Sequence, residues 1–260
     1  MHNRTTQTLA LALTLILLIT PFGAAQVTTK ELSYSDILSD SINRQRSNSK
    51  LDEVQETLEV LRAGSETPKE LTAALKRNYP LIPEGASIKV LPEMRQNLIL
   101  KGPEYTRLVS ALSSLLKLCQ LENKLIPILY RSERPIVALS YPNAIIFSTR
   151  TLALLNDNEI EGIAAHELNH LVARELFIKA IDTKDDQALR IIELFCDAAG
   201  ASLLQALNKT PRALITALYK IQQVLQLEFN DGEGKDHPRM GLRDRLNKTL
   251  IKEFSLIASR

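Results

Sequence analysis

The stretch Asn156-Asp157-Asn158-Glu159-Ile160-Glu161-Gly162-Ile163-Ala164-Ala165-His166-Glu167-Leu168-Asn169-His170 governs the reading of this chain. Asn156 and Glu159 supply the caps of a predicted helix that runs to about Ile178. On that helix His166 and His170 stand four residues apart, so they share a face and can grip one ion. Imidazole nitrogen suits Zn²⁺, and Glu167 between the two histidines can serve as general base toward a water. A reactive metal site needs one more protein ligand and then an open position.

Glu193 is the candidate for that third ligand. It follows on the next predicted helix, which Thr183 caps and which runs to about Leu207, and Asp197 stands one turn further on. One carboxylate can bind metal while the other accepts a hydrogen bond from a ligand imidazole and fixes its tautomer. Ile191, Ile192, Leu194, Phe195 and Ala198 surround the pair and make the segment read as buried. A last motif, His237-Pro238-Arg239-Met240-Gly241-Leu242-Arg243, follows a third helix that starts at Thr210-Pro211 and ends near Phe229. His237 can stabilise an oxyanion or occupy the open metal position, and reads equally well as a surface loop histidine. Arg243 can hold Asp197, the substrate or its own loop, or cap a surface helix.

Upstream lie three short β-rich runs, Leu125-Tyr130, Ile136-Leu139 and Ala144-Ser148, punctuated by Pro127, Pro135 and Pro142. Prolines of this kind suit edge strands and turns. Ala144, Ile145, Ile146, Phe147 and Ser148, upstream of the histidines, stand where a zincin places the edge strand that binds an extended substrate backbone. Shorter strands are expected at Ser87-Val90 and Asn97-Leu100, and a helix from Gly102-Pro103 to about Leu121. The expected class is α+β: mostly helical, with a small antiparallel sheet.

Composition removes several alternatives. The chain has 260 residues, enough to bury a core, and its net charge of +2 argues against a nucleic-acid partner. Aromatic residues are 5% of the chain, too few for a stacking platform. Two cysteines, Cys119 and Cys196, exclude a disulfide-dense scaffold. They can pair in an oxidising compartment, or Cys196 can simply fill a buried gap.

Residues 1–25 read as a signal peptide. Arg4 precedes an apolar run from Leu9 to Ile19, and Gly23-Ala24-Ala25 supplies the small residues at a cleavage site. The expected location is periplasmic or secreted, with no integral membrane span in the mature form. Of the four histidines only His2 lies in that leader; the other three all fall in the proposed site. Residues 26–85 read as an N-terminal helical segment, either a wrap on the main domain or a propeptide. Within it Thr67-Pro68-Lys69-Glu70 is a helix start, with the helix ending near Asn78. Residues 86–260 form the main domain.

With these motifs in order, the chain resembles the zinc endopeptidases of the CAAX prenyl protease and HtpX type. In layout it is most similar to their soluble, secreted branch. The resemblance runs through Ala144-Ile145-Ile146-Phe147-Ser148-Thr149-Arg150, His166-Glu167 with His170, Glu193 with Asp197, and His237-Pro238 with Arg243, and covers about Ile88 to Leu246. It implies a gluzincin-type domain as residues 86–260, one Zn²⁺ on His166, His170 and Glu193, Glu167 as base, and a role for His237 and Arg243 beside the metal. The sequence departs from that pattern at Asn169, where glycine is usual, at Cys196, where alanine is usual, and at Asp244, which replaces an apolar residue. The expected function is hydrolysis of peptide bonds in exported, unfolded or misassembled envelope polypeptides. The alternative is a catalytically weak or self-inhibited zinc-binding chaperone or adaptor of the cell envelope, itself partnered with envelope proteins.

Overall fold

The computed structural model describes residues 33–48, 52–63, 67–80, 96–132, 138–141, 143–229, 238 and 240–258. The leader, the expected strand at Ser87-Val90, and His237 with most of its loop lie outside the described residues.

Three helices open the described chain: α1 (Tyr34–Ser47), α2 (Glu53–Arg62) and α3 (Pro68–Asn78). Each begins on a side-chain cap. Ser33 and Asp52 serve α1 and α2, and Thr67 with Glu70 forms the capping box expected for α3. Tyr34, Leu38 and Ile42 of α1, Val54, Leu58 and Leu61 of α2, and Leu71, Ala74 and Leu75 of α3 repeat at helical spacing and are buried. These side chains join the same apolar core as the rest of the protein. The segment is a layer of that core, and its apolar stripes face inward.

A strand β1 (Leu98–Ile99) and a helix α4 (Pro103–Cys119) follow, then β2 (Ile126–Tyr130), β3 (Ala138–Tyr141) and β4 (Ala144–Ser148). The strands form one sheet in the order β1-β2-β4-β3. The sheet is mixed rather than antiparallel: β2 and β4 run parallel, while β1 and β3 are antiparallel to their neighbours. The sequence explains the order. Ala144-Ile145-Ile146-Phe147 is apolar on both faces, and every residue of β4 is buried, so it takes an inner position. Ala138-Leu139-Ser140-Tyr141 is only partly buried throughout, and among the described strands β3 forms the border. The expectation that Ala144–Ser148 is the edge strand is therefore corrected. Its backbone is paired on both sides, with β2 and with β3.

The remaining elements are helices: α5 (Thr149–Leu154), α6 (Asp157–Val172), α7 (Arg174–Thr183), α8 (Asp186–Ala206), α9 (Arg212–Phe229) and α10 (Met240–Ala258). Helix α6 ends before Ile178, because the backbone leaves helical geometry at Ala173 and α7 restarts at Arg174. Lys184 in the left-handed region closes α7, and Asp185, not Thr183, caps α8 by accepting from the Ala188 amide at 2.9 Å. Helix α8 is the centre of the molecule. It is buried without a break from Ile191 to Leu204 and packs on α6, α2, α3, α7 and α10. No described helix is long and apolar enough to cross a membrane.

Candidate metal centre

Helix α6 is fixed at its start before it presents any chemistry. Asn156 and Glu159 close a capping box, and the buried Glu159 also accepts from Lys220 Nζ of α9 at 2.7 Å. Arg107 of α4 donates to Asp157 and to the carbonyls of Leu152 and Leu155 at 2.6–2.7 Å, which ties down the turn between α5 and α6. Two glycines then set how closely the neighbouring helices approach. A Cβ on Gly162 would stand 2.8 Å from the Leu214 amide nitrogen of α9, and one on Gly200 would stand 2.9 Å from the His166 amide nitrogen. Helix α8 thus touches α6 backbone to backbone at the first histidine.

That approach brings the expected residues together. His166 Nδ1 lies 2.8 Å from Asp197 Oδ1. A carboxylate oxygen only accepts, so this nitrogen carries the proton and Nε2 is the free donor atom of the neutral ring. His166 Nε2 is 3.1 Å from His170 Nε2. Glu193 Oε2 is 3.5 Å from His166 Nε2, and Glu193 Oε1 is 3.4 Å from His170 Nε2. Two imidazole nitrogens at this separation repel unless a positive charge, a proton or a metal ion, stands on or between them. Burial works against protonation of His166, but the hydrogen bond to Asp197 and the charges of Glu193, Asp197 and Glu167 outweigh it and hold its pKa above the ordinary value.

Arg243 of α10 resolves the alternatives left by sequence. Its Nη2 donates to Glu193 Oε2 at 2.7 Å and its Nε stands 3.3 Å from Asp197 Oδ2, so one buried guanidinium bridges both carboxylates. Burial would lower its pKa, but Asp197 and Glu193 raise it above the usual value and keep it cationic. Glu167, Glu193 and Asp197 still outnumber Arg243 in this small volume. A divalent cation among neutral imidazoles balances the charge that three carboxylates and one guanidinium leave over.

The residues present fit such an ion. His166, Glu167 and His170 could hold a metal: their ligand atoms all lie within 4.8 Å of one another. Glu193 stands beside this group, with a different carboxylate oxygen nearest each histidine. A tetrahedral ion with bonds of about 2.0–2.1 Å holds its donors about 3.3–3.4 Å apart, so a small shift that brings one of those oxygens toward both rings would let His166, His170 and Glu193 share an ion.

Three features are not foreseen by sequence reasoning. The ring of Phe177 on α7 stands 4.8 Å from that of His170 and walls the second histidine, whose side chain is 12% exposed. Gly200 sits in the small-residue run Ala198-Ala199-Gly200-Ala201, the signal that marks the close helix approach. Strand β3 lies against α6 more extensively than β4 does. Cys119 and Cys196 are both buried and free. Burial pushes the Cys119 thiol up to about 11 and the Cys196 thiol well above its ordinary range, so Cys196 is a protonated filler on the helix that carries Glu193. Comparison of the chain with protein families, curated proteins and solved structures finds no match.

Proposed function

We propose that this protein is a zinc-dependent endopeptidase of the cell envelope or secreted space, acting on extended or unfolded segments of exported polypeptides. One observation carries the reading: His166 Nε2 and His170 Nε2 face each other at 3.1 Å, a carboxylate oxygen of Glu193 lies within 3.5 Å of each, and Glu167 follows the first of them on the same helix. His166, His170 and Glu193 would hold the ion. Zn²⁺ suits two imidazoles and a carboxylate, and when bound it supplies Lewis-acid polarisation of the scissile carbonyl and a water of lowered pKa.

The chain's own residues supply the rest. Glu167, partly exposed at the site, takes a proton from the attacking water and returns it to the leaving amine. Asp197 keeps the His166 proton on Nδ1 and so keeps Nε2 available. Arg243 holds Glu193 and Asp197 apart from solvent and fixes their rotamers. Phe177 limits access on the His170 side. The outer strand β3 beside α6 is the natural template for an extended chain, a role that Ala144–Ser148 cannot fill from inside the sheet.

The test is Glu167→Gln. Zinc content should stay at one ion per chain, while cleavage of an unfolded protein substrate falls by about 10²–10⁴-fold. Cleavage at the wild-type rate would sink the assignment, and so would purified wild-type protein that takes up no zinc.

A further inference from the structure

The two helices that carry the carboxylates and the bridging cation are also tied together from behind, by the start of α2. Asp52 Oδ1 accepts from the amides of Val54 and Gln55 as the α2 cap, and the same oxygen accepts from Arg245 Nη2 of α10 at 2.7 Å. The next residue, Glu53, places Oε1 3.7 Å from Arg190 Nε of α8. Arg245 lies two residues after Arg243, and Arg190 lies one helical turn before Glu193. Two consecutive acids therefore reach one helix each, beside the turn where Arg243 meets Glu193 and Asp197. A third tie, Arg46 of α1 to Asp185, the α8 cap, holds the start of the same helix.

These pairs are poor candidates for global stability. Asp52 and Arg245 are 41% and 53% exposed, and pairs of that kind add little to folding. The apolar anchors of α8 and α10, such as Leu194, Leu246 and Leu250, already join both helices to the core. Apolar packing seats both helices on the core, and directed charge pairs at the right turn add to it the control of register that a bridging guanidinium needs.

We propose that Asp52 and Glu53 are positioning residues for the metal centre, acting through Arg245 and Arg190 to keep α8 and α10 in the register at which Arg243 reaches both carboxylates. In its metal arm this rests on the reading of His166, His170 and Glu193 as ligands. The N-terminal helices are then part of the working site.

The test uses the full chain with Asp52→Asn and Glu53→Gln combined. Asparagine caps a helix as well as aspartate and glutamine keeps the length of glutamate, so only the charges are lost. Zinc affinity, measured by competition with a chromophoric chelator, should fall about 3- to 10-fold, at the lower limit of what supporting contacts to metal ligands contribute. The thermal midpoint of the metal-free protein should stay within a few degrees of wild type. A second measurement needs no metal. The pair of charge deletions is combined with Arg243→Lys in a double-mutant cycle on the urea midpoint of the metal-free protein, and non-additive effects are expected because the clamp acts through Arg243. Unchanged affinity in a wild type that binds zinc, or additivity in the cycle, overturns the proposal. A wild type that binds no divalent ion sinks the metal reading alone, and the cycle still decides the clamp.

Discussion

Asp197 shows how much of the candidate site rests on a single supporting atom. Its Oδ1 receives the His166 Nδ1 proton and its Oδ2 faces Arg243, so the residue links a ring tautomer to a buried cation. Asp197→Asn keeps the volume but weakens both contacts, and zinc affinity should fall about 10- to 100-fold in chelator competition. An affinity equal to wild type would mean that the His166 tautomer is set elsewhere. Gly200 is the steric counterpart. A methyl group there would meet the His166 backbone at 2.9 Å, and neither helix backbone can yield cheaply. Gly200→Ala should destabilise the protein by about 1–3 kcal/mol, read from chemical denaturation, and should weaken metal binding as α8 is pushed from α6. The pairing of His166 with His170, and of Glu193 with Asp197, is legible in the sequence because the helical period alone makes residues four apart neighbours. The partner of Arg243 is not, because three-dimensional packing of two distant helices decides it.

At the level of elements, the same distinction separates what pattern reveals from what topology adds. Caps and breakers locate the helices well: Thr67 with Glu70, Asn156 with Glu159, and Pro103 each stand where a helix begins. The end of α6 is less legible, since Ala173 carries no breaking signal and the chain bends there into α7. The sheet is where local pattern misleads. Three β-rich runs in succession suggest a simple antiparallel meander, yet β4 inserts between β2 and β3. The deciding physical property is burial on both faces, visible in the unbroken apolar run Ala144-Ile145-Ile146-Phe147, against the partial burial of Ala138-Leu139-Ser140-Tyr141 throughout. If β3 is the docking strand, a proline at Ser140 should impair cleavage of long substrates while leaving zinc content unchanged. Loss of zinc in that variant would assign β3 a purely structural role.

For the whole molecule, the N-terminal helices and the candidate metal centre share one core. Tyr34 packs its ring 5.8 Å from that of Phe195, two residues beyond Glu193, and Leu38, Ile42, Val54, Leu58 and Leu61 cover the same side of the protein. Each such side chain contributes about 1.5–3 kcal/mol when buried, so together they match the net stability of an ordinary domain. A chain lacking residues 1–63 should show no cooperative thermal transition by circular dichroism. A truncated chain that melts near the full-length midpoint would instead make the segment a detachable propeptide. The bridging guanidinium of Arg243 has one last consequence, which concerns time rather than space. Glu193 and Asp197 precede by some fifty residues the cation that bridges them. A growing chain that stops short of residue 243 lacks that bridge, so the arrangement seen here can close only once α10 has docked.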